Sequence, residues 1–141
     1  DEPEERAHPG AAFPDDALLL HYAGYAAYRE AVATMARGDD RRTRAAARAL
    51  VERADSLLER SADRRPLAET QALRASVIGL QIALGNAMSG MWLGPRAGAA
   101  MDEALKLGPD NPRVWLLRGI SAYNTPKTWG GGMERAREYL A

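Results

Sequence analysis

The chain contains no cysteine in its 141 residues. That excludes disulfides, thiolate chemistry and cysteine-ligated zinc. It has no excess charge of either sign, since 19 Lys and Arg balance 19 Asp and Glu. A neutral balance gives no electrostatic reason to favour nucleic acid or an anionic membrane as partner. No apolar run reaches the roughly 18 residues of a spanning helix, so no transmembrane segment is expected. Only two histidines occur, His8 and His21, far apart and without an HExxH or GxSxG motif. Zinc hydrolysis and a serine triad therefore have no visible basis, and neither a metal nor a cofactor is expected. No segment alternates apolar and polar residues with the two-residue period of a strand. What remains is an all-α chain, 46% apolar and 27% charged, long enough for one domain with a core.

Residues 1–14 carry three prolines and few apolar residues, and read as an extended arm ahead of a helical domain over residues 15–141. The acidic start DEPEERAHPGAAFPDD is either a mature start left by signal cleavage, which would place the protein outside the cytoplasm, or a boundary within a longer chain. Asp15 or Asp16 is suited to cap a helix from about Ala17 to Ala36, which Gly38 stops. Asp39-Asp40 opens a second helix to about Ser61, and Pro66 a third to about Leu84. Gly85 to Gly94 reads as irregular, with Pro95 starting a fourth helix that ends near Leu107. In LGPDNPR, Gly108 stops that helix, Asp110 or Asn111 caps the next, and Pro112 suits its first turn. A fifth helix then runs to Tyr123, and a sixth begins near Gly132.

The helices come in pairs that resemble one another. Gly79 and Gly119 lie 40 residues apart, Ala97 and Ala136 lie 39 apart, Asn86 aligns with Asn124, and Trp92 falls one residue out of register with Trp129. Self-similarity at that period marks a helical repeat array. The residues that carry it are Ile78, Gly79 and Ile82 with Ala97, Met101, Ala104 and Pro109, and then Trp115, Gly119 and Ala136. On these the chain resembles the tetratricopeptide repeat family over about 120 of its 141 residues. The first unit fits less fully, through Gly24, Ala47, Val51 and Ala54, and Arg118 stands where the family has leucine. The resemblance implies three helix-turn-helix units, 15–61, 66–109 and an incomplete 111–141, stacked as a right-handed superhelix with a concave groove.

The stretch YNTPKTWGGGMERA invites a phosphate-loop reading, because glycines before a helix N-terminus can hold an anion. It lacks the Lys-Ser/Thr that completes a nucleotide loop, and no strand precedes it. It reads as an enlarged turn, with about five or six extra residues in both the second and third units. Asn86, Trp92 and Trp129 are then loop candidates, each tryptophan tucking its indole against the bundle. Arg41, Arg44 and Arg48 form a basic stripe at helical spacing that reads as a solvated face.

In HYAGYAAYRE, His21, Tyr25 and Tyr28 are spaced to share one helix face. The resemblance places them, with Arg29, on the concave surface, beside Arg113, Leu116, Ile120, Tyr123 and Asn124 of the third unit and Ser76, Leu80, Ala83 and Leu84 of the second. The competing reading is that Tyr25 and Tyr28 cover the N-terminal arm or pack the core. By analogy with the family, the expected function is a non-enzymatic scaffold that binds a peptide or partner helix in this groove. Two other readings stand beside it. One is an exported protein capturing a small molecule or ion at the groove and tryptophan loops; the other is self-association through Met133, Tyr139 and Leu140 of the cut final helix.

Overall fold

A computed structural model describes residues 16–141. The expected arm over residues 1–14, with His8, and the capping candidate Asp15 lie outside the described residues. The described chain forms α1 (Ala17–Arg37), α2 (Arg41–Arg64), α3 (Ala68–Leu84), α4 (Ser89–Leu107), α5 (Pro112–Asn124) and α6 (Met133–Leu140), with a 3-10 turn at Lys127–Trp129 before α6. No strand occurs among the described residues, and no helix there is long and apolar enough to cross a membrane.

Short polar side chains fix three of the helix starts. Asp16 accepts from the Leu19 N–H at 3.0 Å, Asp40 from Thr43 at 3.0 Å, and Asn111 from Arg113 at 3.0 Å with Pro112 in the first turn. Each satisfies a donor that the first helical turn leaves free. The Thr43 hydroxyl also donates to Asp40 at 2.6 Å, and these bonds hold the Asp40 carboxyl below its usual range.

Consecutive helices pack as pairs, α1 on α2, α3 on α4 and α5 on α6, and α3 joins the pairs by touching α1, α2 and α5. One core gathers Ala27, Ala31, Ala47, Val51, Ala54, Leu58, Leu73, Val77 and Leu84; the other gathers Ala72, Ala75, Met101, Ala104 and Val114. Leu117 of α5 packs against both cores. The alanines matter because small residues at a helix crossing let two backbones approach. A Cβ added at Gly24 would sit 2.7 Å from the buried Leu58 side chain, and one at Gly119 would sit 2.5 Å from Leu140. Both crossings are closed to anything larger than glycine unless the leucine moves.

Gly79 does not match them. It is exposed, and a Cβ there would meet nothing within 4 Å. The residue in the equivalent place is Ala75: Gly24, Ala75 and Gly119 are each the eighth residue of their helix. Aligning glycine with glycine therefore shifts the second unit by one helical turn. Leu84, expected on the open surface, is accordingly buried in the first core.

A second departure is the start of α4, at Ser89 and not at Pro95. A turn at residues 86–89 leads into it: the Asn86 side chain accepts from the Met88 N–H at 2.9 Å, Ser89 Oγ accepts from the Asn86 N–H at 3.0 Å, and the Asn86 carbonyl accepts from the Ser89 N–H at 3.0 Å. These bonds close a turn immediately ahead of the helix, which starts before the proline arrives. Pro95 then sits inside α4 as its seventh residue, where it lacks the N–H that would donate to the Met91 carbonyl. The α3–α4 turn is therefore short, and only the α5–α6 turn is enlarged.

That long turn is a closed hydrogen-bonded unit. The N–H groups of Gly130, Gly131 and Gly132 donate to the carbonyls of Lys127, Pro126 and Ala122 at 3.0, 3.1 and 2.8 Å. Gly130 and Gly132 have φ of +83° and +108°, and a Cβ on Gly131 would collide with the Thr125 and Ala122 carbonyls. Three glycines stand here because two need left-handed backbone and the third has no room. With all three N–H donors engaged internally, the glycines serve the turn and not an anion.

Candidate functional site

The cleft lies where α1, α3 and α5 converge. It encloses about 350 Å³ and is lined by His21, Tyr22 and Tyr25 of α1, Glu69 and Leu73 of α3, and Arg113, Leu116 and Leu117 of α5. These are the first helices of the three pairs. Leu73 is buried in the first core and Leu117 is half-buried, so the floor is apolar; Tyr25 at 42% exposure and Leu116 at 51% stand open on the walls.

Arg113, Glu69 and His21 of the cleft are bonded within the protein. Arg113 donates to Glu69 at 3.1 Å, and the other Glu69 oxygen accepts from Asn111 at 3.3 Å. The Arg113 guanidinium is held charged by this carboxylate first and by the nearby Tyr22 hydroxyl second, which together raise its pKa. His21 is only 7% exposed, with Nδ1 2.9 Å from the buried Thr70 hydroxyl and its ring edge-on to Tyr22. Burial lowers its pKa below the usual imidazole value; the nearby Glu69 carboxylate opposes that shift and Arg113 adds to it. The imidazole is therefore neutral at pH 7.

Of the residues singled out in the sequence, the fold brings His21, Tyr25, Arg113 and Leu116 around this cleft. Tyr28 is half-buried against the first core; burial raises its pKa, the leading effect, while the nearby Ser76 hydroxyl and the Arg29 charge act the other way. Arg29 is exposed on α1, and Ile120, Tyr123 and Asn124 continue along α5 as exposed residues beyond the cleft lining. The face that α1 leaves open is Leu18, Tyr22, Tyr25, Arg29 and Val32, one step around the helix from the stripe of His21 and Tyr28. Tyr22, Glu69, Leu73 and Leu117 complete the cleft without having been singled out.

The loop candidates lie elsewhere. Asn86 closes the turn ahead of α4 through its bonds with Met88 and Ser89. Trp92 stands on α4 and is 75% exposed, so it is neither in a loop nor tucked against the bundle. Trp129 does reach back: the edge of its indole covers Gly90, where an added Cβ would sit 2.8 Å from the ring. None of the three lines the cleft.

At the end of α6, Leu140 covers Gly119. Tyr139 and Trp115 flank Arg118, whose guanidinium carbon lies 4.0 Å from the Tyr139 centroid and 5.1 Å from that of Trp115. Such stacking gives Arg118 a structural partner on each side. Met133 and Leu140 remain about half exposed. The basic stripe has a structural use as well. Arg44 and Arg48 both donate to the Leu84 carbonyl, at 3.2 and 2.6 Å, and so place positive charge at the C-terminal end of α3.

Comparison of the chain with protein-family models, with curated proteins and with solved structures finds no match.

Proposed function

We propose that this chain is a non-enzymatic interaction scaffold, built of tetratricopeptide-like helix pairs stacked as a right-handed superhelix, and that it holds a peptide or partner helix against α1, α3 and α5. The observation that carries the reading is the cleft itself. Three first helices, distant in sequence, converge on one concavity walled by Tyr22, Tyr25 and Leu116, with Ile120 and Tyr123 exposed beyond it on α5. Tyrosines suit recognition because they bury a large area with few rotors and keep a hydroxyl for hydrogen bonding. Exposed apolar side chains beside partnered polar ones also match the make-up of an interface core and its rim.

The test is a selection of displayed linear peptides on the parent protein, counter-screened on a Tyr25→Ala/Leu116→Ala/Tyr123→Ala variant whose helicity is checked by circular dichroism. All three residues are exposed, so the variant keeps the cores intact. Peptides enriched on the parent and lost on the folded variant support the scaffold; peptides retained by both place recognition elsewhere.

A second reading, small-molecule capture in an exported protein, draws support from the cleft volume of about 350 Å³, within the range of about 300–1,000 Å³ usual for such sites. Trp92 and Trp129 do not contribute to it, since neither lines the cleft.

A further inference from the structure

We infer that the cleft between α1, α3 and α5 is an anchor pocket that takes one large, neutral, apolar side chain of the partner, tryptophan or phenylalanine in preference to a charged residue. This rests on the scaffold reading and specifies what that scaffold selects.

Charge is the first reason. Arg113 and Glu69 are the charged groups lining the cleft, and they satisfy one another. Asn111 takes the second Glu69 oxygen, and the buried His21 is engaged with Thr70. An entering carboxylate or ammonium would lose water and find its opposite charge already paired, so its desolvation would be only partly compensated. An apolar side chain meets no such penalty. It would cover the Leu73 and Leu117 floor and the exposed faces of Tyr25 and Leu116, and displaced water gains nothing by staying on those surfaces. Size points the same way. About 350 Å³ is small for a helix or a folded loop and fits a single bulky side chain with part of its backbone. Buried aromatic anchors of this kind carry most of the affinity at interfaces, with polar groups fixing direction at the rim. In this cleft the rim is Arg113 with Tyr22.

The test uses blocked amino acids as probes, titrated into isotope-labelled protein and followed by NMR. N-acetyl-tryptophanamide should shift the backbone amides of His21, Leu73, Arg113 and Leu117. It should bind at least about tenfold tighter than N-acetyl-glutamic acid amide or N-acetyl-lysine amide, as expected for burial of one large apolar side chain. A Leu116→Glu variant, altered at an exposed wall position, should keep its fold and lose those shifts. Charged probes that bind the cleft as tightly, tryptophanamide shifts that miss these residues, or shifts that survive Leu116→Glu would each overturn the proposal. The peptide selection separates this proposal from the scaffold reading. Enriched peptides without a shared large apolar residue overturn the anchor and leave the scaffold. Tryptophanamide bound in the cleft with no peptide enriched upholds the pocket and overturns the peptide groove.

Discussion

His21 carries the clearest consequence at the scale of single residues. Its imidazole is buried, bonded to Thr70, and depressed in pKa relative to the ordinary value of 6.5. The folded protein therefore binds this proton less readily than the unfolded chain does. Stability is complete above pH 6.5 and falls as the pH drops through that value toward the lower folded pKa. Urea midpoints measured between pH 7.5 and 5.5 should decline for the parent, and His21→Gln should remove part of that decline. An unchanged slope in the variant would mean that other groups govern it. The same residue illustrates what sequence spacing conveys. Helical periodicity correctly sets His21, Tyr25 and Tyr28 near one another, yet the helix is rotated so that His21 and Tyr28 turn inward while Tyr22 and Tyr25 stay open. Glu69 leaves no local trace at all, because its partner Arg113 is 44 residues away and only the packing of α3 against α5 joins them.

Elements are legible where their ends are written in short-range chemistry. Asp16, Asp40 and Asn111 cap where capping residues are expected. The start of α4 is not legible in that way. Glycines at 85, 90 and 94 together with Pro95 resemble a loop, and the bonds of Asn86 with Met88 and Ser89 that close the turn before the helix depend on geometry that composition does not reveal. Gly79 misleads for a related reason. A glycine invites alignment with glycines, whereas the crossing requires only a small residue and α3 uses Ala75. Two substitutions separate these roles. Gly79→Ala adds a methyl group in open space on an exposed helix and should stabilise the protein by about 0.5–1 kcal/mol. Gly24→Ala pushes against the fully buried Leu58 and should destabilise it by about 1–3 kcal/mol. Thermal or urea unfolding measures both. Destabilisation by Gly79→Ala would put the glycine back at a packed crossing and contradict the register that sets Ala75 there.

For the molecule as a whole, the all-α character and the succession of helix pairs follow from periodicity, caps and small-residue spacing. The cleft does not, because it arises only when α1, α3 and α5 lie side by side and Leu117 joins the two cores. On the scaffold reading this concavity receives the partner, and the exposed Met88, Met91 and Trp92 surface of α4 and the Trp129 turn do not. The most direct measurement is NMR shift mapping of a peptide taken from the display selection. Perturbations should concentrate on Tyr22, Tyr25, Leu73, Arg113 and Leu116, with a weaker trail toward Tyr123. Perturbations centred on Met88 to Trp92 and Trp129, with the cleft unchanged, would contradict a partner seated in the cleft.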